Sequence, residues 1–275
     1  MDTLTTTEAR RALSDMTLMD DAYFTKYFDG STECASLMLS VLLGRKDLKV
    51  TSATTQKWIE GGDKRSVKLD IYARDGSGRI YDVEIQRARK GASRKRARFY
   101  SAMLDADYLD KGGKFKELPE SYVIFITERD AIGKGRAMYR IDRRIDGTFE
   151  DFGDGAHILY VSADLAERNT DLGKLMHDLR CPDPERMHYK ALRERARYLK
   201  RSKEGIGEMA GEFDRILRER MKETRESSLK EGRENGIRES ARNMIADGSL
   251  PLSKIAKFSG LSIGEVEKIK NGIIG

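Results

Sequence analysis

Two short segments of alternating apolar and polar residues, separated by a glycine-containing turn, constrain the fold of this chain most strongly. The segments are residues 67–72 and 80–86, and Asp75-Gly76-Ser77-Gly78 lies between them. Alternation with a period of two is typical of β-strands, and a glycine that ends a three-residue loop closes a hairpin well because it adopts positive φ. The pattern therefore predicts an antiparallel hairpin with Asp70 directly opposite Glu84 and Gly78 in the left-handed conformation.

Segments on both sides of the hairpin predict a mixed sheet with helices packed against it. Strand patterns alternate with helical patterns, but not as repeated βαβ units, so the order favours an α/β or α+β core. We predict helices over residues 13–28, 33–43 and 92–110, and further strands over 50–59, 121–127, 139–145 and 158–162.

The chain changes character after Cys181-Pro182-Asp183-Pro184. The following stretch is dense in Arg, Lys and Glu and contains no proline as far as residue 247, which indicates solvated helix. We therefore expect a catalytic-sized domain over residues 1–184, a charged helical extension over 185–248 and a short helical pair over 249–275. Ser262 is predicted to cap the second helix of that pair, with Glu265 at capping-box distance; a helix-turn-helix that reads DNA is one interpretation, and docking against another helix is the other.

Composition narrows the setting without deciding the function. The formal net charge is +6 and the pI is near 9.1, which favours polyanionic partners. Cys34 and Cys181 form no CxxC motif, so neither a disulfide framework nor a cysteine-rich zinc site is indicated, and a reducing, cytoplasmic compartment is expected. The sequence contains neither a signal-peptide pattern nor an apolar run of membrane-spanning length.

The hairpin holds the residues best suited to chemistry. Asp70 and Glu84 supply two carboxylates, and Gln86 follows two positions after the second acid. Hydrolysis of a phosphodiester needs an activated water and neutralisation of negative charge, which a hard divalent cation provides. We predict that Asp70, Glu84 and the Ile85 carbonyl bind Mg²⁺, with Mn²⁺ as an alternative, and that Gln86 orients water. The competing interpretation is that these acids are ordinary solvated strand residues, like Asp82 on the same strand.

A basic cluster without an intervening acid follows the hairpin. We predict that Arg94, Lys95, Arg96 and Arg98 bind nucleic-acid phosphates; a solvated helix face is the alternative.

The three histidines and the glycines indicate no further cofactor. His177 and Cys181 are one helical turn apart, yet packing or capping is favoured over a zinc site because no HxxxH or HExxH spacing occurs. The chain has no P-loop or dinucleotide-binding glycine motif, so no nucleotide cofactor is expected.

Several motifs resemble, in order, those of the PD-(D/E)XK nuclease family transposases, also called recombination-promoting nucleases. The resemblance covers nearly the whole chain. It is carried by Asp70 and the segments DDAYFTKYFDG, YDVEIQ, RKRARFYSAMLDAD, YVIFIT, FGDGAHILYV and LMHDLRCPDPERMHYKALRERARYLK, together with the mixed-charge tail.

This resemblance implies a restriction-endonuclease-like core and a metal-dependent DNA endonuclease of recombination or mobile elements. It implies Asp70 and Glu84 as the metal-binding acids, Gln86 in the position of the superfamily's lysine, and Asp21, ahead of Asp20, as a further acid on the first helix. The alternative function is a catalytically inactive nucleic-acid-binding or assembly protein, in which the charged helical tail forms a homo-oligomer.

Overall fold

A six-stranded mixed sheet forms the centre of the fold. The computed structural model describes residues 6–62, 65–87 and 89–272. The helices are α1 (Thr6–Ser14), α2 (Asp21–Phe28), α3 (Thr32–Leu43), α4 (Arg94–Tyr108), α5 (Asp171–Arg180), α6 (Lys190–Arg201), α7 (Lys203–Asp247), α8 (Leu252–Ser259) and α9 (Ile263–Lys270). The strands are β1 (Val50–Ile59), β2 (Val67–Asp75), β3 (Ile80–Gln86), β4 (Ser121–Thr127), β5 (Met138–Ile141) and β6 (Ala156–Ser162).

The sheet order is β1-β2-β3-β4-β6-β5, with antiparallel pairing at both edges and parallel pairing of β3 with β4 and of β4 with β6. Alternate residues of β4 enter two different cores: Ile124 packs with α2, α3, α5 and α6, whereas Phe125 packs with α4. A strand buried on both faces explains the unbroken apolar run of β4. The expected α/β class with a mixed sheet is confirmed.

The hairpin has the register that its sequence predicts. Ile71 pairs with Val83 and Tyr72 with Asp82, which continues to Asp75 opposite Arg79, where the Asp75 amide donates to the Arg79 carbonyl at 3.1 Å. Gly78 ends the loop with φ of 82°. Because side chains of directly opposed residues point to the same side, this register brings the two acids of the hairpin together.

The predicted helix over residues 13–28 is divided in two. Between α1 and α2 a turn forms in which the Asp20 amide donates to the Thr17 carbonyl at 3.0 Å and the Asp20 carboxylate accepts the Thr17 amide at 2.8 Å. A local side-chain acceptor that competes for backbone donors is a common reason for a helix to stop. The break makes Asp21 the first residue of α2.

The first compact unit extends beyond residue 184, where we expected it to end. It runs to Phe213. The main core is the one that contains Ile124 and residues of α2, α3 and α5. Helix α6 buries Leu192, Ala196 and Leu199 in it, and the beginning of α7 buries Ile206 and Met209 there. Long Arg and Lys side chains surround this narrow apolar stripe, so the charged composition of the segment does not reveal it.

Residues 214–275 form the second unit. Its small core contains Ala241, Ile255 and Val266. The predicted cap is confirmed, because the Ser262 hydroxyl accepts the Glu265 amide at 3.3 Å and Glu265 accepts the Ser262 amide at 2.8 Å. No helix in the described part of the chain is long and apolar enough to cross a bilayer.

Candidate functional site

The hairpin acids lie beside the first residue of α2. An open cavity of about 310 Å³ is lined there by Met19, Asp20, Asp21, Asp70, Ile85, Gln86 and Arg87. The structure thus brings together four residues that the sequence singles out: Asp21, Asp70, Ile85 and Gln86. The break before α2 is what positions Asp21, since a continuous helix would start earlier.

Asp70 and Glu84 replace the last rungs of the hairpin ladder with bonds from their side chains. The Asp70 amide donates to Glu84 Oε1 at 2.9 Å, and the Ile85 amide donates to Asp70 Oδ2 at 3.0 Å. Alternation also shifts here, because Leu69 packs in one core and Ile71 in the other. Gln56, which faces this point in β1 between the pairs Thr55 with Ile71 and Lys57 with Leu69, has φ of 53°. Strands β2 and β3 therefore separate at Asp70 and Glu84.

Glu84 is fully buried and is neutralised by Arg96. Arg96 Nη2 donates to Glu84 Oε2 at 2.6 Å, and Arg96 Nη1 donates to the Gly91 carbonyl at 2.9 Å. The guanidinium also lies over the rings of Tyr100 and Phe125. Arg96, which the sequence placed among the phosphate-binding residues, is thus committed to Glu84, whereas Arg94, Lys95 and Arg98 on the same helix are exposed.

A third acid, Asp82, lies in the same group. Its side chain is fully buried, and neither carboxylate oxygen accepts a hydrogen bond from a donor among the described residues. Burial and the neighbouring Glu84 raise the pKa of Asp82 well above its usual range. Burial followed by the charge of Glu84 raises the pKa of Asp70, and burial raises that of Glu84. Asp82 is therefore not the solvated strand residue that its position in the sequence suggested.

Gln86 packs against a glycine that the sequence analysis missed. A Cβ added to Gly91 would lie 1.8 Å from Gln86 Oε1, so a larger residue would displace the amide from its place at the cavity. Gly91 also supplies the carbonyl that holds Arg96. The only sequence signal for this role is a lone glycine just before the basic helix.

Asp20 and Asp21 differ in how their carboxylates are used. Asp20 forms an ion pair with Arg87 at 2.8 Å and accepts the Thr17 amide, so it stabilises the turn. The Asp21 side chain is exposed at the cavity, and it has no ion pair or hydrogen bond within residues 6–62, 65–87 and 89–272. Of the two acids, Asp21 is thus the one whose carboxylate has no such contact among the described residues.

The donors around the cavity fit a hard divalent cation. Carboxylates from Asp21 and Asp70 and the backbone at Ile85 are oxygen ligands, which Mg²⁺ and Mn²⁺ accept. The cavity is open to water, which Mg²⁺ retains as ligand. The clustered acids with raised pKa values are also a place where a cation would relieve repulsion.

A different group, His177, Asp178 and His188, also brings ligand atoms within 4.8 Å of one another. Asp178 is fully buried, and its two oxygens accept the amides of His188 and Tyr189, each at 2.8 Å. Cys181 donates to the Asp183 carbonyl. These contacts agree with the capping interpretation of this segment.

Comparison with known families identifies the region that holds the hairpin. Residues 36–162 match the family model described as PD-(D/E)XK nuclease family transposase. Neither curated proteins nor solved structures gave a match. The matched region contains Asp70, Glu84 and Gln86 as well as all six strands, whereas Asp21 precedes it. The resemblance noted in the sequence is confirmed over residues 36–162, and this region of the chain is similar to the PD-(D/E)XK nuclease family transposases.

Proposed function

We propose that this protein is a divalent-metal-dependent DNA endonuclease that acts in recombination or mobile-element biology. The observation that carries the proposal is the cavity at which Asp21, Asp70, Ile85 and Gln86 meet beside the buried Glu84. The family model that residues 36–162 match supports nuclease chemistry.

The proposed metal ligands are Asp70, Glu84 and the Ile85 carbonyl, with Asp21 as a further carboxylate. Bound Mg²⁺ or Mn²⁺ would supply an activated water and a Lewis acid for the scissile phosphate. Asp70 uses Oδ2 to accept the Ile85 amide, which fixes its carboxylate at the cavity. Each oxygen of Glu84 accepts one hydrogen bond, from the Asp70 amide or from Arg96, and keeps a second lone pair that could bind the cation.

Gln86 and the basic helix have separate roles in this proposal. The Gln86 amide, fixed against Gly91, is placed to orient water, and it cannot carry the positive charge of the superfamily's lysine. The exposed Arg94, Lys95 and Arg98 are the proposed phosphate contacts, while Arg96 positions Glu84.

Cleavage of supercoiled plasmid tests the proposal. We expect purified protein to nick the plasmid with millimolar Mg²⁺ or Mn²⁺ and not with chelator, and we expect the metal to raise the melting temperature because it relieves repulsion among the acids. Asp70→Ala and Glu84→Ala should abolish both effects, and Asp146→Ala, which changes an exposed acid outside the cavity, should preserve both. Equal nicking by the parent and Asp70→Ala proteins would refute the assignment.

A catalytically inactive DNA-binding or assembly protein is the second candidate. It is favoured by the ion pair that neutralises Glu84 and by the glutamine at position 86. In that case the parent protein would bind DNA, show no metal-dependent melting shift and cut nothing. A homo-oligomer formed through the helical tail is part of this candidate, and light scattering of the full chain tests it.

We also propose the cytoplasm as the compartment, since both cysteines are buried free thiols.

A further inference from the structure

A second cavity lies on the α4 side of the sheet. It has a volume of about 350 Å³, within the range of pockets that bind small organic groups. Its walls are mainly apolar, with two tyrosine rings and two arginines at the boundary. The lining residues are Arg94, Ala97, Ile132, Tyr139, Arg140, Ile141, Ile158 and Tyr160.

One row of paired residues on neighbouring strands leads from Glu84, beside the candidate metal centre, to this cavity. Glu84 pairs with Phe125, Phe125 with Tyr160, and Tyr160 with Tyr139. Neighbouring strands are about 4.8 Å apart, so Tyr160 lies about 10 Å across the sheet from Glu84. At the rise of about 3.4 Å per nucleotide along one strand of duplex DNA, this distance corresponds to about three nucleotides, and to fewer in an extended strand.

Tyr160, one of the residues that line this cavity, carries a buried polar group without a partner among the described residues. Its side chain is 3% exposed, and its hydroxyl has no hydrogen-bond partner among the described residues. A buried hydroxyl without a partner is unfavourable, so such a group in a native protein calls for a physical explanation, and a bound partner is one. The ring is held in place by stacking on Phe125, with centroids 5.4 Å apart.

The ring next to Tyr160 on the same face of the sheet is held by hydrogen bonds, and the boundary of the cavity is cationic. The Tyr139 hydroxyl donates to Asp130 at 2.7 Å and accepts the amides of Lys134 and Arg136, so a loop fixes the ring. Arg94 and Arg140 at the cavity are exposed. A planar aromatic group with a hydrogen-bonding edge, attached to a phosphate chain, matches these features: the neighbouring tyrosine rings contact one of its faces, the Tyr160 hydroxyl is available to its edge and the arginines bind its phosphates.

We propose that this cavity, the Tyr160 pocket, binds an unpaired base of the DNA strand within a few nucleotides of the cleavage site. The proposal rests on the nuclease function proposed above. A paired base cannot enter such a pocket without leaving the stack, so the pocket favours single-stranded or locally opened DNA over matched duplex.

Binding measured without metal separates this proposal from cleavage. Fluorescence anisotropy of a labelled 15-nucleotide strand and of its matched duplex, in chelator, would be compared for the full-length parent and three variants. Ile132→Trp fills the cavity from a loop, Tyr160→Phe removes only the hydroxyl, and Ile145→Trp adds the same bulk at an exposed position outside it.

We expect Ile132→Trp to weaken single-strand binding roughly tenfold, which is the contribution of one stacked base to the affinity, with little change in duplex binding. Tyr160→Phe should weaken it several-fold while the melting temperature stays equal or rises, because an unpartnered hydroxyl is lost. Ile145→Trp should bind both probes like the parent.

Three results would overturn the proposal, and they are distinguishable. Unchanged single-strand binding in both pocket variants would remove the pocket and leave the nuclease function standing. Failure of the parent to bind either probe would remove both. Saturable binding of free deoxyadenosine monophosphate that Ile132→Trp abolishes, with strand binding unchanged, would make this a site for free nucleotide instead.

Discussion

At the scale of single residues, Arg96 determines the state of Glu84. A fully buried carboxylate is tolerated only where a cation or several donors compensate its charge, and Arg96 provides the cation from α4. The same guanidinium binds the Gly91 carbonyl, and Gly91 in turn makes room for Gln86. The Arg96 side chain therefore links the position of Glu84 to that of Gln86.

Removing Arg96 should leave Glu84 buried without a partner. We expect Arg96→Met to lower the free energy of unfolding by about 2–4 kcal/mol near neutral pH, and Arg96→Lys to recover part of the loss. Urea denaturation measures this effect. Arg94→Met, on the same helix but exposed, serves as control and should change the free energy by less than about 0.5 kcal/mol. Equal, small effects of the two variants would contradict the role of the ion pair.

Asp82 predicts an unusual pH dependence. Its pKa in the folded state is raised by burial and by Glu84, so the folded protein holds a proton that the unfolded chain releases above about pH 3.9. Stability should therefore fall as the pH rises through the interval between the unfolded and folded pKa values. Asp82→Asn lacks this proton, and its stability relative to the parent should increase between pH 4 and pH 8 in chelator. A difference that stays constant, as expected for the exposed control Asp146→Asn, would refute this assignment.

At the scale of elements, α4 has two functionally distinct faces. Ser93 caps the first turn of α4 by accepting the Arg96 amide at 3.3 Å, which determines where the helix begins and therefore which side chains face the sheet. Ala97, Tyr100 and Leu104 pack on the sheet, and Arg96 turns toward Glu84. Arg94, Lys95 and Arg98 are left on the exposed side. A single basic run in the sequence thus separates into one internal cation and three external ones.

The external cations predict a salt effect on DNA binding. Replacing Arg94, Lys95 and Arg98 together by Gln should weaken binding to every DNA sequence and reduce the slope of log affinity against log salt by about 2 to 3, one phosphate contact each. The control changes three exposed lysines of the same unit, Lys46, Lys111 and Lys116, and should keep the parent slope. An unchanged slope in the first variant would return these residues to a solvated helix face.

At the scale of the whole molecule, the first compact unit includes the beginning of α7. We expect a chain that ends at Phe213 to keep a cooperative melting transition, because every residue of the main core is retained. A chain that ends at Ser202 loses the buried Ile206 and Met209, which should cost about 3–5 kcal/mol of stability. Calorimetry of both fragments tests this boundary. Equal melting of the two would place the end of the unit before α7.

The sequence determined the elements whose signal is local. Period-two alternation and the glycine of the turn specified the hairpin register, and Ser262 with Glu265 specified a helix start, because neighbouring residues supply the necessary contacts. The sequence also singled out Asp21, Asp70, Ile85 and Gln86 before the structure placed them around one cavity.

Tertiary structure alone decided the environment of those residues. Burial of Asp82, the ion pair of Glu84 with Arg96 and the fit of Gln86 on Gly91 depend on β3 lying inside the sheet with α4 packed across it. The inclusion of α6 in the core depended likewise on which side of a highly charged helix met the sheet layer. Charge balance and strand periodicity report which residues are polar, but whether a polar residue faces water or a partner is set by segments distant in sequence, and only the folded chain brings those together.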